Sequence, residues 1–526
     1  MRQIFLLDCT LRDGGYINNW EFGEKAIKDV AYKMSNTGVE YFEIGFIKET
    51  EYQKIKSVFS SNEQIAEMIQ PKNKNTKYVG MVDIGDPIPL SELGIRRENS
   101  IDVLRVIFKK DHIEEGYQYC KEAKKLGYEV FAQIVATNSY SDKELVDVIE
   151  KFNPIIPEAV YVVDTLGVIK RKDFLRMVQI MDHNLSPGII LGYHSHNNMQ
   201  QAFGNAEALV ELNLRRDIII DACVFGMGRG AGNLNMELFA GYLNEGHDKN
   251  YRVEPMLEII DEYLNDIYSK EFWGYSLPYY LSASNMCHPN YAKYFAEKGT
   301  LSLKAFNEIL RTIPADKKEN YEKSVAEVTY QNYQSNYIDD METVEVLRNV
   351  LAGREILLLG PGTSIEENRN QINKYIELNH PIVIALNFVP DQIHADYVFS
   401  SHIRRYSKIE KQQGVHLIVT SNIREAEAFE HRINYASYAS KEPELMDNSG
   451  ITFLNFLISI GTQSVKLAGM DGYESDRNRN YVNSGLEHYF DDNTIAQRNA
   501  LIRKEFLELR KYISIEFITK SKYEQE

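Results

Sequence analysis

The segment DCTLRDGG, residues 8–15, decides the fold of this chain together with a later segment, HSHNN, residues 194–198. Each follows a short apolar run of the kind that forms a buried strand. His194 and His196 are two positions apart, so they lie on the same side of an extended chain. With the Asp13 carboxylate they make a nitrogen and oxygen ligand set that suits a divalent cation with open positions. We therefore predict a metal site divided between two strand ends.

Apolar, β-rich runs recur eight times in the first 230 residues, and segments with helical periodicity separate them. Near-continuous apolar strands joined by helices indicate a parallel sheet that is buried on both faces. Eight such units predict an α/β fold of the (β/α)8 TIM-barrel type, with an open doubly wound sheet as the alternative. The predicted strands cover residues 4–9, 41–46, 78–82, 103–108, 130–135, 160–163, 189–193 and 218–224.

A TIM barrel makes a further prediction, because its active residues lie at the carboxyl ends of the strands. Polar residues fall in or shortly after the later part of these runs. They are Asp13, Glu43, Arg105, Gln133, Asp164, His194, His196 and Asn233.

Five motifs in the same order resemble a known family. They are DCTLRDG at residues 8–14, FEIG around Glu43, DTLG from Asp164, HSHNN from His194, and GRGAGN at residues 228–233. The pattern is similar to that of the metal-dependent lyase and synthase family, which includes hydroxymethylglutaryl-CoA lyase, isopropylmalate and citramalate synthases, and 4-hydroxy-2-oxovalerate aldolase. It covers roughly residues 1–310. The His-Asn-Asn ending and the lack of acyl-CoA features resemble the hydroxy-oxovalerate aldolase branch in particular.

The resemblance implies that Asp13, His194 and His196 bind the metal, with Asn233 as a fourth ligand. Mn²⁺ or Mg²⁺ suits an oxygen-rich open site, and Zn²⁺ stays open. The resemblance also implies that Arg12 is the catalytic cation, which would hold the enolate oxygen or the substrate carboxylate. The alternative for Arg12 is a salt bridge that closes a loop.

The general base departs from the aldolase pattern. That branch has a histidine a few positions after Arg-Asp-Gly, where this chain has Tyr16, a poor base unless a cation lowers its pKa. His288 is the second candidate, with a satisfied histidine in a helical subdomain as its alternative. Glu43 and Asp164 are expected either to support the site by hydrogen bonds or to act as acid or base.

Composition limits the class of protein. A chain of 526 residues exceeds a single core and predicts at least two domains. The net charge of −17 argues against nucleic acid or an anionic membrane as a partner. Four scattered cysteines suggest neither disulfides nor a zinc ribbon, and we see no signal peptide or membrane span. We expect a cytoplasmic protein that acts on small molecules, while the possibility of a homo-oligomer stays open.

We predict three parts: a barrel over residues 1–250, a helical extension over 251–335, and a Rossmann-like α/β domain over 352–526, with a linker near 330–352. In family members of the aldolase branch, a helical region after the barrel docks a partner aldehyde dehydrogenase; the alternative for this chain is that the region only joins the two domains. Helices are expected over residues 256–268, 289–298, 302–312, 318–324, 341–351 and 365–379, with a loop over 331–340.

The C-terminal domain opens with a strand and a glycine-rich turn that leads into a helix. Backbone amides at such a place attract anions, so Gly360, Gly362, Thr363 and Ser364 are predicted to bind a phosphate, although tight turns alone would also explain the glycines. This half is distantly similar to sialyltransferase-like and related surface-polysaccharide proteins, which implies a nucleotide or nucleotide sugar as ligand. Asp471 and His488 are further candidates, with solvated loops as the alternative.

Three functional hypotheses remain. The first is a divalent-metal aldolase that cleaves or forms a 4-hydroxy-2-keto acid, with a pyruvate-type enolate and an aldehyde as partners. The second is a Claisen-type synthase that condenses an acyl-CoA with a 2-keto acid. The third is a nucleotide-binding fusion whose barrel is only a scaffold. This hypothesis is the weakest of the three, because an inactive scaffold would not need to keep Arg12, Asp13, both histidines and Asn233 together.

Overall fold

The computed structural model describes residues 2–299, 301–409, 414–476, 480–482 and 491–524. The chain folds into two compact units. Met1–Lys293 and Lys318–Asn320 form the first unit, and Tyr294–Lys317 and Tyr321–Glu526 form the second. Each unit contains one extended parallel sheet.

The first unit is a closed parallel barrel. Strand β1 (Ile4–Asp8) pairs with β2 (Tyr41–Ile47) on one side and with β9 (Ile218–Ala222) on the other, which closes the sheet and excludes the open alternative. A short strand, β3, extends the sheet beside β2. The strands are β1 Ile4–Asp8, β2 Tyr41–Ile47, β3 Val58–Phe59, β4 Lys77–Asp83, β5 Val103–Phe108, β6 Glu129–Ile134, β7 Ala159–Asp164, β8 Ile190–Ser195 and β9 Ile218–Ala222. All eight predicted strands are confirmed, and each predicted end lies within two residues of the observed one.

Helices cover the outside of the barrel because each presents one apolar face to the strands. Helix Asp142–Phe152, for example, buries Leu145, Val148, Ile149 and Phe152, a spacing of three or four residues. The main helices of this unit are Thr10–Asp13, Gly15–Asn18, Glu24–Ser35, Asn62–Ile69, Leu90–Leu93, Ile113–Lys125, Asp142–Phe152, Arg171–Asn184, Ala202–Glu211, Met236–Gly246, Glu254–Ile259, Asn265–Lys270 and Leu277–Ser284.

The second unit contains a seven-stranded parallel sheet in the order β14-β13-β12-β11-β10-β15-β16. The order reverses between β10 and β15, as in Rossmann-like folds. The strands are β10 Ile356–Leu359, β11 Ile382–Leu386, β12 Tyr397–Ser400, β13 Leu417–Thr420, β14 His431–Ile433, β15 Ser464–Ala468 and β16 Ser514–Phe517. Its helices are Leu303–Thr312, Lys323–Gln334, Met341–Leu351, Ser364–Glu367, Arg369–Asn379, Ile403–Ile409, Tyr435–Tyr438, Ser449–Ser459 and Asp492–Leu509. Helix Pro289–Lys298 contains the boundary between the two units.

Two local predictions were wrong. The helix predicted over 318–324 begins only at Lys323 and continues to Gln334, because Ala326, Tyr330 and Gln334 are buried at four-residue intervals on one face. It takes in the first four residues of the loop predicted over 331–340, whereas residues 335–340 lie outside any helix, as predicted. The single helix predicted over 365–379 is two helices that meet at Asn368. Within the described residues, no helix has the length and apolarity that crossing a bilayer requires.

Candidate active site

Asp13, His194 and His196 meet at the carboxyl ends of β1 and β8. Asp13 is the last residue of the short helix that follows β1, His194 lies in β8, and His196 comes directly after it. Asp13 Oδ2 lies 3.1 Å from His194 Nε2 and 3.9 Å from His196 Nε2, and all three side chains are buried. One ligand atom from each residue fits within 4.8 Å of the others. The divided segments of the sequence are therefore brought together.

Asn233 lies beside His196 and is the candidate for a fourth ligand. Its backbone forms a β-bridge with His196, and its amide nitrogen donates to Met227 O at 3.0 Å and contacts Cys223 Sγ at 3.3 Å. Its Oδ1 is buried and accepts no hydrogen bond from any described residue. A buried carbonyl oxygen without a donor costs free energy that a bound cation would offset.

The protonation states of two ligands suit a metal, which requires an ionised carboxylate and neutral imidazoles. Burial would raise the pKa of Asp13, but the charge of Arg12, together with both histidines, holds that pKa well below its usual range. Burial lowers the pKa of His196 to about 3, so its ring is neutral at pH 7. For His194, hydrogen bonds to Asp13 and Asp221 overcome the effect of burial and raise the pKa well above its usual value. A bound cation would take the place of the His194 proton.

Arg12 lies beside these ligands with part of its guanidinium uncommitted. Its Nε donates to Glu43 Oε2 at 2.8 Å, and its Nη1 lies 3.3 Å from Asp13 Oδ1. Its Nη2 is buried and has no hydrogen-bond partner among the described residues. Burial alone would lower the pKa of Arg12, but Glu43 and Asp13 raise it well above its ordinary value, so the group stays charged. The free end can donate to an anionic oxygen.

Glu43 and Asp164 are placed as supports of the site. Glu43 Oε2 accepts from Arg12 and also from Arg105 Nη1 at 3.0 Å, and it is fully buried. Asp164 accepts from the backbone amides of Val168 at 2.8 Å and Ile169 at 2.9 Å, which fixes the loop after β7. Burial raises the pKa of Asp164 to about 6.

Tyr16 stands at the barrel mouth, where Arg229 lies 4.8 Å from the centre of its ring. Desolvation raises the pKa of Tyr16 even though Arg229 and Arg12 act to lower it, so the phenol is protonated at neutral pH. His288 lies near His196 and Arg229. Burial, reinforced by these two residues and Lys109, lowers the pKa of His288 to about 2, which leaves its imidazole neutral.

Asp221 is a further member of the site, and the sequence motifs did not predict it. Its Oδ2 lies 2.9 Å from His194 Nδ1 and also contacts Arg105 Nη2. The contact between Asp221 and His194 Nδ1 leaves the other ring nitrogen, Nε2, facing Asp13. A carboxylate in this position orients a metal-binding imidazole. The one sequence feature that could have indicated Asp221 is that it is an acidic residue within the apolar run IIIDA of β9.

A cavity beside the barrel mouth has aromatic and charged walls. Tyr16, Trp20 and Phe46 form a cluster with ring centres 4.9–6.2 Å apart, and Lys48 and Asp83 complete the lining nearby. The cluster depends on Gly15, because a Cβ at that position would lie 2.0 Å from the Trp20 ring.

The glycine-rich turn of the second unit is filled by the protein itself. The amide of Gly360 donates to Ala468 O and that of Gly362 to Gly469 O, both at 2.8 Å. The amide of Ser364 donates to Asp471 Oδ2 at 2.8 Å, and its hydroxyl also contacts that carboxylate. Thr363 is the N-cap residue of the helix that follows. These three amides are therefore engaged with the protein and not open to a phosphate.

Two other predicted residues of this half have different outcomes. A Cβ on Gly362 would lie 2.5 Å from the Asp471 carboxylate, so this glycine is needed for the close approach of the two loops. Asp471 thus lies against the turn as a structural partner. His488 falls outside the described residues.

Comparison with known proteins agrees with this geometry. The HMGL-like family model matches residues 3–260. The 4-hydroxy-2-oxovalerate aldolase of Thermomicrobium roseum is 27% identical over 244 residues, 45% of this chain and 66% of that protein. The protein of that name from Desulfitobacterium hafniense is 24% identical over 272 residues, 51% of this chain and 79% of that protein.

Among solved structures, the chain is similar to the N-terminal domain of a candidate aldolase from Bacteroides vulgatus. The identity is 24% and the TM-score 0.48, over 57% of this chain and 98% of that one. The aligned region spans just under two thirds of the Thermomicrobium protein. The family match covers the strands and loops that hold Arg12, Asp13, both histidines and Asn233. Residues 3–260 of this chain therefore belong to the HMGL-like family.

Proposed function

We propose that the barrel is a divalent-metal-dependent aldolase that cleaves or forms a 4-hydroxy-2-keto acid through a pyruvate-type enolate. The observation that carries this proposal is the convergence of Asp13, His194 and His196 with the uncommitted end of Arg12. The aldolase names of the relatives at 23–27% identity support it.

The chemistry divides between the metal and the side chains. A divalent ion bound by Asp13, His194, His196 and Asn233 would polarise the 2-keto oxygen of the substrate. Arg12 stays charged and donates from Nη2 to the oxygen on which negative charge grows as the carbon–carbon bond breaks. Glu43 holds Arg12 from the opposite side, so the guanidinium is oriented before the substrate arrives.

We assign the removal of the 4-hydroxyl proton to His288 and a positioning role to Tyr16. A proton acceptor must be neutral, and His288 is neutral at pH 7 whereas the Tyr16 phenol is protonated. Burial is the main cause of the low pKa of His288, so this imidazole is a weak base until the bound substrate raises its pKa. A substrate carboxylate near Arg229 would act in that direction, because it offsets the positive charge beside the ring. The aldehyde end of the substrate is assigned to the cavity of Tyr16, Trp20 and Phe46, because aromatic walls with flanking Lys48 and Asp83 suit a chain with both apolar and hydroxyl groups.

The test is pyruvate release from a panel of 4-hydroxy-2-keto acids by protein reconstituted with Mn²⁺, Mg²⁺ or Zn²⁺. We expect turnover that Asp13→Ala abolishes. Arg12→Lys should lower kcat by roughly 10²- to 10³-fold while leaving metal binding intact, since a lysine cannot both bond Glu43 and reach the substrate. His288→Gln should lower kcat by about 10²-fold or more and alter the pH profile, and Tyr16→Phe should change it far less.

The controls separate the reaction classes. Arg176→Lys, an exposed arginine paired with Asp142, should leave kcat unchanged. Release of free CoA on addition of an acyl-CoA and a keto acid, without any pyruvate release, would contradict the aldolase proposal and favour a Claisen-type synthase. Absence of both activities with a correctly metallated protein would contradict both.

A further inference from the structure

The second unit has a cavity at the carboxyl end of its sheet, and the reaction proposed for the barrel does not use this cavity. It lies beyond the carboxyl ends of β10 and β15, where the strand order reverses. Open α/β sheets bind ligands at this place, because the loops from the two strands separate there and leave a crevice. Gly360–Gly362 and Gly469–Asp471 form one wall of the cavity. The amides of Gly360, Gly362 and Gly469 on that wall already donate to protein oxygens, so the charged side chains of the lining are the main candidates to hold a ligand.

Those side chains include three cations: Lys298, Arg405 and Arg498. Lys298 Nζ lies 4.9 Å from the ring centre of Tyr294 and 5.2 Å from that of Tyr330. No carboxylate of a described residue lies within ion-pair distance of Lys298, and burial lowers its pKa. Lys298 is half-buried and has the charge of Asp447 only beyond ion-pair distance, so a ligand anion would further stabilise the ammonium.

The two arginines lie against phenol rings. Arg405 is 5.5 Å from the ring centre of Tyr481, and Arg498 is 5.9 Å from that of Tyr473. When a guanidinium stacks on an aromatic ring, its N–H groups point outward in the plane of the guanidinium. They can then donate to phosphate oxygens. Tyr523 and Phe506 add further aromatic surface to the lining.

One acid of the cavity, Asp447, offsets part of the charge of Lys298 and Arg498. Asp447 accepts from the Tyr330 hydroxyl at 2.6 Å, and Asp471 is held by Ser364. Glu297 and Glu444 also belong to the lining, but both are exposed. His402 is buried and contacts the Asp447 carbonyl oxygen at 2.7 Å through Nε2. The interior thus combines cationic groups, phenols and a histidine, while its two inner acids have hydroxyl donors.

We propose that this cavity binds a nucleoside phosphate, with the phosphate held by Lys298, Arg405 and Arg498 and the base packed against the tyrosine rings. Cations match the phosphate, and aromatic faces match the base, because base–aromatic stacking tolerates any nucleobase. This site uses side chains of the lining and not the amides of the Gly360–Ser364 turn. It is separate from the barrel reaction and does not depend on the aldolase proposal.

The experiment is isothermal titration of the full-length protein with ADP, GDP, CDP and UDP, and separately with pyrophosphate and the matching nucleosides. We expect at least one diphosphate to bind more tightly than either of its parts. Lys298→Gln and Arg405→Gln should each weaken that binding by about 10- to 100-fold, the loss expected when a charged hydrogen bond to phosphate is removed. Arg405→Lys, which keeps the charge, should recover part of the loss.

Two controls make the result specific. Arg348→Gln alters an exposed arginine of the same unit that pairs with Glu345, and it should not change the affinity. Asp13→Ala should bind the nucleotide normally, so failure of the aldolase proposal is distinguishable from failure of this one. The proposal is overturned if no nucleoside diphosphate binds, if pyrophosphate alone binds equally well, or if the folded Arg405→Gln protein, verified by circular dichroism, retains full affinity.

Discussion

Asp221 is the residue on which the orientation of His194 depends. It is 2% exposed, and its Oδ2 faces both His194 Nδ1 and Arg105. Replacement by Asn removes the charge that fixes the imidazole but keeps the size of the side chain. We expect Asp221→Asn to weaken Mn²⁺ binding by about 10- to 100-fold, the usual effect of losing a carboxylate behind a metal-binding histidine. Competition with a fluorescent chelator measures this affinity.

A matched control is Asp102→Asn. Asp102 is 7% exposed and pairs with Lys72 and Arg96, but it precedes β5, at the end of the barrel opposite the metal ligands. It should lower stability without changing the Mn²⁺ affinity of the folded protein. Equal metal affinity in Asp221→Asn and the unmodified protein would show that His194 is oriented by other contacts.

His402 predicts a pH effect in the second unit. Burial lowers the pKa of His402 to about 3, whereas the unfolded chain has a value near 6.5. Between these values the unfolded state binds more protons, so the stability that His402 contributes is present above pH 6.5 and is lost as pH falls through that range. From pH 7 to pH 5 the loss is roughly 2 kcal/mol.

We therefore expect His402→Gln to show a smaller decrease in melting temperature from pH 7 to pH 5 than the unmodified protein. Glutamine can still donate to the Asp447 carbonyl oxygen and carries no titrating group. His394→Gln, in which a highly exposed histidine is replaced, serves as the control and should not reduce the acid sensitivity. Identical pH dependence in all three proteins would contradict the buried, neutral state of His402.

At the scale of elements, Arg105 joins strands that are not neighbours. It lies in β5, is fully buried, and contacts Glu43 in β2 and Asp221 in β9. Removing one member of a buried ionic group leaves its partners uncompensated, at a cost of about 3–5 kcal/mol. We expect Arg105→Leu to lower the free energy of unfolding by that amount at pH 7, as measured by urea denaturation.

The double variant Arg105→Leu/Glu43→Gln tests the cause. If uncompensated charge explains the loss, neutralising Glu43 should recover part of it, and the two substitutions should not be additive. Arg176→Leu, at an exposed ion pair, should change stability by less than about 1 kcal/mol. A full loss in the double variant would instead indicate a packing defect.

The strands show which elements a sequence can predict. The eight barrel strands are buried on both faces, so each leaves a continuous apolar run. Strand β14, His431–Ile433, is not predictable in this way, because its residues, His-Arg-Ile, carry no such run and lie at the edge of the sheet. Helix Lys323–Gln334 was misplaced because it buries polar as well as apolar residues, including Thr329 and Gln334.

The residues of the candidate site also divide into those that the sequence could predict and those that it could not. Asp13, His194 and His196 were predictable because strand ends and the spacing of two place them on one side. The role of Asp221 and the partners of Arg105 were not predictable. Their contacts join positions more than 20 residues apart and depend on the closure of the barrel. The engaged state of the Gly360–Ser364 turn was also hidden, since it depends on Asp471 more than 100 residues later.

At the scale of the whole molecule, the two units carry different ligand chemistry. The proposed metal ligands belong to the first unit, and the described residues that line the cavity beyond β10 and β15 belong to the second. A ligand stabilises the structure that binds it, by about 2.7 kcal/mol when its concentration is 100 times Kd. Hydrogen exchange of the full chain should therefore report each ligand at its own place.

We expect Mn²⁺ to slow amide exchange in β1, in β8 and in the loop around Asn233, because exchange there requires opening of the metal-bound strand ends. Exchange in β10 and β15 should change little. A nucleoside diphosphate should do the reverse and protect the loops after β10 and β15. Asp13→Ala should abolish the first effect and keep the second, and Arg405→Gln should do the opposite. Protection by Mn²⁺ that persists in Asp13→Ala would place the ion elsewhere and contradict the assignment of the barrel ligands.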